Sequence, residues 1–211
     1  MVPHVVKAVF FDFDGVLTKD KTGSLTTLRY LSRQTGIAYD QLRNAFEPFN
    51  NDLNLGKTTH DEIWSDLCAA LKVHIDKSLL RGAFESTPIN HEMLELARKL
   101  RRHYFVGIIT DNKKDRIDYL KRHLDLAAAF DPIVVSAEVG SGKETSSTFA
   151  RALGHLRIAP DESVFIDNTR QNLVAPRALG MKTVHFDDEE NDVHALCRIL
   201  RDTHGLLVPG T

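Results

Sequence analysis

Two aspartates two residues apart, Asp12 and Asp14, end the apolar run Val9-Phe10-Phe11 and are followed at once by Gly15. Paired carboxylates at this spacing can divide nucleophilic and acid–base work if their surroundings drive their proton affinities apart. One attacks an electrophile while its neighbour passes protons. A glycine beside them lets the backbone turn and lets a ligand approach closely. If the strand period of two persists to Asp14, both carboxylates face the same way. The same residues also suit an ordinary turn, so the chemistry depends on what else reaches them.

Three further groups have the right character. Thr110-Asp111-Asn112 follows the buried-strand candidate Tyr104 to Ile109, and Asp167-Asn168 follows Ser163-Val164-Phe165-Ile166. Lys143 closes the flexible stretch Gly140-Ser141-Gly142 and delivers one ammonium, for which phosphate is the natural target. This is not a P-loop, because the two glycines are not separated by four residues and Glu144 follows the lysine. Taken singly, Thr110 reads equally as a turn or cap residue, Asp167-Asn168 as a helix-capping pair, and Lys143 as a solvated side chain. Their joint occurrence at the ends of buried strands is harder to assign to chance.

The elements that must position these residues alternate. Val5 to Phe11 has the length and β-branched or aromatic content of a strand buried on both faces, which puts Asp12 at its carboxyl edge. From residue 18 to 87 the pattern is helical only. Leu25, Leu28, Tyr30 and Leu31 lead to Gly36, and Leu42, Ala45, Phe46 and Phe49 form one stripe. Ile63, Trp64, Leu67, Cys68 and Leu71 form another behind the cap candidate Asp61, and Leu79 to Phe84 closes the set. Thereafter helices and strands alternate through Ile133-Val134-Val135, Leu173 to Leu179, Thr183 to Phe186 and Val193 to Leu200. Such alternation implies right-handed crossovers and a parallel sheet, with sites at its carboxyl edge. The expected fold is α/β: a Rossmann-like, doubly wound parallel sheet from residues 1–17 and 88–211, with an all-helical module inserted at 18–87.

Composition narrows the function. With 211 residues, 42% of them hydrophobic and 27% charged, the chain can bury a sizeable core, and disorder is not expected. A net charge of −2 argues against a general nucleic-acid or anionic-membrane binder. Cys68 and Cys197 sit inside helical apolar patterns and read as buried thiols in a reducing compartment. Nothing resembles a signal peptide or a membrane span, so a cytoplasmic protein, monomeric or weakly dimeric, is expected.

Taken together, these residues make the chain resemble the haloacid dehalogenase-like hydrolase superfamily across nearly its whole length. Its four motifs are matched in order by Asp12 to Thr18, by Ile109 to Asn112, by Lys143 with Phe149, and by Phe165 to Asn168 with Asn172 and Gly180. The helical insertion is similar to the small helical cap of that superfamily. The resemblance implies a Mg²⁺-dependent phosphatase in which Asp12 attacks a phosphoryl group. Asp14 then protonates the leaving alcohol and activates water against the aspartyl phosphate. It implies Mg²⁺ on Asp12, Asp167 and the Asp14 carbonyl, and phosphate contacts from Asp14, Gly15, Thr110, Asp111 and Lys143.

Two departures mark this chain: Glu144 stands where proline commonly follows the lysine, and Asn168 where a second acid often stands. Glu144 either loosens the loop or pairs with Lys143, and Asn168 either weakens the metal site or serves through hydrogen bonds. Dehalogenases of the superfamily need no metal and usually lack the second aspartate, so Asp14 favours phosphate esters. A phosphomutase keeps both aspartates, and a noncatalytic module with the same fold is the reading from another class. The expected partner is a small phosphorylated metabolite such as a sugar phosphate, with no nucleic acid and no membrane. Lys19, Lys21, Arg29, Lys57 and Trp64 of the cap stay open between specificity and plain structural roles.

Overall fold

The computed structural model describes residues 5–208; residues 1–4 and 209–211, which the sequence reading assigns to the sheet domain, lie outside the described residues. Five strands form one sheet: β1 (Ala8–Phe11), β2 (Phe105–Thr110), β3 (Ile133–Val135), β4 (Ser163–Asp167) and β5 (Lys182–His185). Their order is β3-β2-β1-β4-β5 and every pairing is parallel, so this is a Rossmann-like α/β sheet with helices on both faces. Central β1 aligns Phe11 with Ile108 on one side and Ile166 on the other.

Burial on both faces explains the unbroken apolar run. Val9 and Phe11 enter one core with Met93, Leu96, Ile117 and Leu200, whereas Ala8 and Phe10 enter a second with Phe149, Ala152 and Phe165. No residue of the strand meets water, so alternation disappears from its sequence. Its start, however, is later than expected. Val5 is exposed and pairing begins at Lys7, whose N–H donates to the Glu162 carbonyl. At the other end β4 runs one residue further, to Asp167 itself. The stretch Leu173 to Leu179 divides into a 3₁₀ turn ending at Leu173 and a helix over Val174–Leu179, and β5 begins at Lys182, leaving Phe186 just beyond it.

Between β1 and β2 come α1 (Gly23–Thr35), α2 (Tyr39–Asn54), α3 (His60–Leu71) and α4 (Leu79–Glu85), then α5 (His91–Leu100). The first four share a core of their own, built on Leu28, Leu31, Leu42, Ile63, Trp64 and Phe84. Helix α1 starts at the Thr22 side chain, which accepts from the Leu25 N–H, and ends at Gly36 in the left-handed region, φ 74°. The cap of α3 is Thr59 and not Asp61. Thr59 and Glu62 exchange side-chain and backbone hydrogen bonds, which satisfies two free N–H groups, while Asp61 falls in the first turn. Where the insertion leaves and rejoins the sheet domain, Thr18 bridges to Ile89 and the Asn90 N–H donates to the Leu17 carbonyl at 2.9 Å.

The rest of the chain supplies α6 (Lys114–His123), α7 (Leu126–Ala129), α8 (Ser136–Val139), α9 (Ser147–Leu156), α10 (Val174–Leu179) and α11 (Val193–Asp202). Among the described residues no helix is long and apolar enough to cross a membrane. The insertion sits over the carboxyl edge: Ser136 Oγ donates to the Asn54 carbonyl at 2.7 Å, and α1 approaches the start of α6.

Candidate active site

The strand period stops at Phe11, and a tight turn replaces it. The Asp12 carboxylate accepts from the Phe13 N–H at 2.7 Å, and the Thr18 N–H donates to the Phe13 carbonyl at 3.0 Å. Gly15 takes φ 78°, and a Cβ there would lie 2.2 Å from Asn168 Nδ2. The positive φ favours glycine, and any side chain here would have to displace that of Asn168. The expectation that strand geometry carries through to Asp14 is not met, yet both carboxylates line one cavity. Each finds its own cation.

Asp12 is bound to Lys143. The ammonium lies 2.8 Å from Asp12 Oδ2 and 2.7 Å from Asp167 Oδ2, with all three side chains buried. Burial pushes the Asp12 carboxyl well above its usual range; Lys143 opposes this, and Asp167 and Asp14 add to it. Burial works against the Lys143 charge, yet Asp12, Asp167 and Asp111 together hold its proton more firmly than an ordinary lysine does. Asp167 is further fixed by the Thr169 N–H at 2.7 Å and by Asn172.

Asp14 is held by Arg116 of α6. Oδ2 accepts from Nη1 at 2.8 Å and from Asn112 Nδ2 at 2.7 Å, and Oδ1 accepts from Nη2 at 2.9 Å with Thr18 Oγ1 at 3.4 Å. Each carboxylate oxygen thus meets two donors, with the Thr18 contact the longest of the four. Asn112 Nδ2 also donates to Thr110 Oγ1 at 3.3 Å, which ties the end of β2 into the network.

Asp111 and Glu144 shape the lysine loop. The Asp111 carboxylate accepts from the Lys143 N–H at 3.0 Å, so its side chain holds the loop in place, while burial raises its proton affinity. Glu144 accepts from the Gly142 N–H at 3.3 Å; it braces the turn and does not pair with the Lys143 ammonium. Asn168 packs its side chain over Gly15, and its carbonyl lies 2.9 Å from His185 Nε2.

A cavity of about 380 Å³ connects these groups to the helical insertion, and Asp12, Asp14, Thr110, Asp111 and Lys143 all line it. Of the cap residues left open, Trp64 belongs to the interior of the insertion, its indole donating to the Ile75 carbonyl at 2.8 Å. Lys57 pairs with Asp52 and Arg29 with Asp20 on the surface, while Lys21 lines the cavity and pairs with Glu189 at 2.8 Å. The sequence reading missed Arg116 and Lys113. A signal existed: they lie four residues before Leu120 and Ile117, so each extends the apolar stripe of α6 by one turn toward its start.

Asp12 and Asp167 bring two buried carboxylates to within 2.8 Å of one ammonium, which is the convergence that a shared cation requires. Hard oxygen donors of this kind suit Mg²⁺. Among the described residues no group of three or more acidic, histidine or cysteine side chains forms a metal cluster, so the remaining donors would be backbone and water oxygens.

A family model described as haloacid dehalogenase-like hydrolase matches residues 6–180. The chain is 26% identical over 216 residues to bifunctional epoxide hydrolase 2 of Rattus norvegicus, covering 92% of this chain and 39% of that protein. In three dimensions it is similar to a HAD family enzyme from Bacteroides thetaiotaomicron, with TM-score 0.74 and 19% identity over 91% of this chain and 98% of the other. That enzyme has also been crystallised with magnesium and inorganic phosphate. An L-2-haloacid dehalogenase shares the fold as well, with TM-score 0.64 and 20% identity over 85% of this chain and 83% of that one.

Proposed function

The chain belongs to the haloacid dehalogenase-like hydrolase family, and within that family we propose that it is a Mg²⁺-dependent phosphatase of a small phosphorylated metabolite, such as a sugar phosphate. The observation that carries this reading is the division of partners between the paired acids: Asp12 on Lys143 and Asp167, Asp14 on Arg116. A dehalogenase of the family usually lacks the second acid, and here that acid is held by three side chains, Arg116, Asn112 and Thr18. The magnesium and phosphate complex of the Bacteroides thetaiotaomicron enzyme supports the choice of cofactor and substrate class.

In this reading an Asp12 oxygen forms a bond to phosphorus as the bond to the ester oxygen breaks. The leaving alkoxide takes a proton from Asp14. Water then adds to the aspartyl phosphate while Asp14 accepts its proton, and phosphate leaves with the Asp12 carboxylate restored. Lys143 and the Thr110 hydroxyl offset charge on the phosphoryl oxygens, and Arg116 keeps Asp14 oriented throughout. Asp12 and Asp167 would hold the metal, which supplies further positive charge against two approaching anions. A cavity of about 380 Å³ between sheet and helices suits a small guest. The same reading makes the protein a cytoplasmic monomer or weak dimer that engages neither nucleic acid nor membrane.

The test is phosphate release across a panel of phosphorylated metabolites and an aryl phosphate, with Mg²⁺ and with excess chelator. Release that requires Mg²⁺ is expected. Full activity in chelator would remove the metal from the assignment, and no release from any ester would remove the phosphatase reading.

A further inference from the structure

Lys113 is a buried ammonium whose charge the protein does not balance. Its Nζ donates to Ser24 Oγ at 2.7 Å, across the junction between the sheet domain and α1, and both residues line the cavity. Each of the other buried cations at this edge has its carboxylate: Lys143 has Asp12 and Asp167, and Arg116 has Asp14. Lys113 has none at salt-bridge distance among the described residues. Asp14, Asp115 and Glu47 act on it only from further away, and Arg116 repels it. Burying a charge without a partner is costly, and a folded chain ordinarily avoids it.

The surroundings of Lys113 favour an anion and not a proton acceptor of the protein's own. Ser24 Oγ already donates to Asn50 Oδ1 at 3.1 Å, so the hydroxyl accepts from Lys113 with its own proton committed elsewhere. Ser24 lies in the first turn of α1, whose free N–H groups add positive potential. Arg116 Nε, next to Gly23, is buried with no hydrogen-bond partner, and a Cβ at Gly23 would lie 2.7 Å from it. Among the described residues Lys113 Nζ makes one hydrogen bond, to Ser24 Oγ, and keeps two of its three donor positions for a guest. Burial, and secondarily Arg116, lowers the Lys113 pKa to about 8, so at neutral pH the group still carries its charge.

We infer that Lys113 and Ser24 form an anion subsite beside the phosphoryl site, which takes an oxyanion, a carboxylate or a second phosphate, carried by the leaving alcohol of the substrate. This rests on the phosphatase reading above and narrows it to esters with two anionic ends. The second anion would neutralise Lys113 in the complex and leave esters with an uncharged alcohol at a disadvantage.

Three esters of matched length decide it: 2-carboxyethyl phosphate, propane-1,3-diol bisphosphate and propyl phosphate. Turnover is measured in the parent with Mg²⁺, and affinity by calorimetry in Asp12→Asn. At least one of the doubly anionic esters should exceed propyl phosphate by about tenfold or more in both kcat/KM and affinity, and the better of the two identifies the oxyanion. Adding Lys113→Met, or Lys113→Gln as a second variant, should collapse that ratio toward one through KM, and Lys113→Arg should restore most of it. A parent ratio near one, or a ratio that Lys113→Met leaves intact, overturns the subsite. If the parent cleaves none of the three, the wider ester panel decides the phosphatase reading, and the affinity ratio in Asp12→Asn decides whether the subsite exists.

Discussion

Arg116 grips both carboxylate oxygens of Asp14, Nη1 to Oδ2 at 2.8 Å and Nη2 to Oδ1 at 2.9 Å, across 102 residues of sequence. The guanidinium is 1% exposed and the carboxylate residue 7%, so each would be a stranded charge without the other. Arg116→Met should therefore cost about 3–5 kcal/mol of stability, the scale on which breaking one side of a buried pair is felt. Asp14→Asn together with Arg116→Met should cost less than the sum of the single changes, because the second removes the charge stranded by the first. Urea unfolding of the four proteins measures the coupling; strict additivity would show that the pair does not act as a unit.

Asp12 and Asp14 should separate in chemistry as they do in their partners. Asp12→Asn should abolish both turnover and the aspartyl-phosphate intermediate, since a neutral amide is a poor nucleophile. Asp14→Asn retains the contacts' shape but cannot exchange a proton, so turnover should fall by about 10²–10⁴-fold. With an activated donor whose leaving group needs no proton, that variant should accumulate a phosphoryl group on Asp12, visible by intact mass and peptide mapping. A label on any other residue would refute the assignment.

Gly15→Ala should be strained by the positive φ of 78° and should push aside the Asn168 side chain, whose Nδ2 would lie 2.2 Å from the new Cβ. Backbone strain of this kind costs on the order of 1–3 kcal/mol, and the displaced Asn168 would disturb the turn that carries Asp12 and Asp14. Thermal unfolding with a parallel assay of phosphate release checks both effects. Gly15→Ala with parental stability and turnover would mean that the turn tolerates a side chain.

Lys113 makes stability depend on pH in a definite sense. Its pKa falls from 10.5 to about 8 on folding, so between those values the unfolded chain binds more protons and stability rises with pH. Below about 8 the cost of the buried ammonium is present in full. Lys113→Met should then be more stable than the parent at neutral pH, by on the order of 1–3 kcal/mol, with the gap narrowing toward pH 10. Unfolding curves at the two pH values settle it; a variant less stable at neutral pH would show that the ammonium is already compensated.

The alternating α/β order and the helical insertion were written in the sequence because each reflects a local requirement. Val9 to Phe11 had to be apolar throughout since opposite faces of β1 enter different cores, and Gly36 had to end α1 since it adopts the left-handed region. The buried charged residues Asp12, Asp14, Lys143 and Asp167 stood out for the same reason: each sits on a turn or strand end with its own local pattern. Some boundaries were not, because Thr59 and Asp61 both suit a helix start and only the reciprocal bonds of Thr59 and Glu62 decide between them.

Which cation serves which carboxylate was decided by the tertiary structure alone. The strand period, extended past Phe11, puts Asp12 and Asp14 on one side, and both do line one cavity, but their partners Lys143 and Arg116 come from segments that no local pattern links to them. Arg116 and Lys113 carry no motif beyond the apolar stripe of α6, and their partners Asp14 and Ser24 lie 102 and 89 residues away in the chain. A residue's type and spacing fix what it can do locally, whereas the partner of a buried charge is set by packing between elements far apart in the chain.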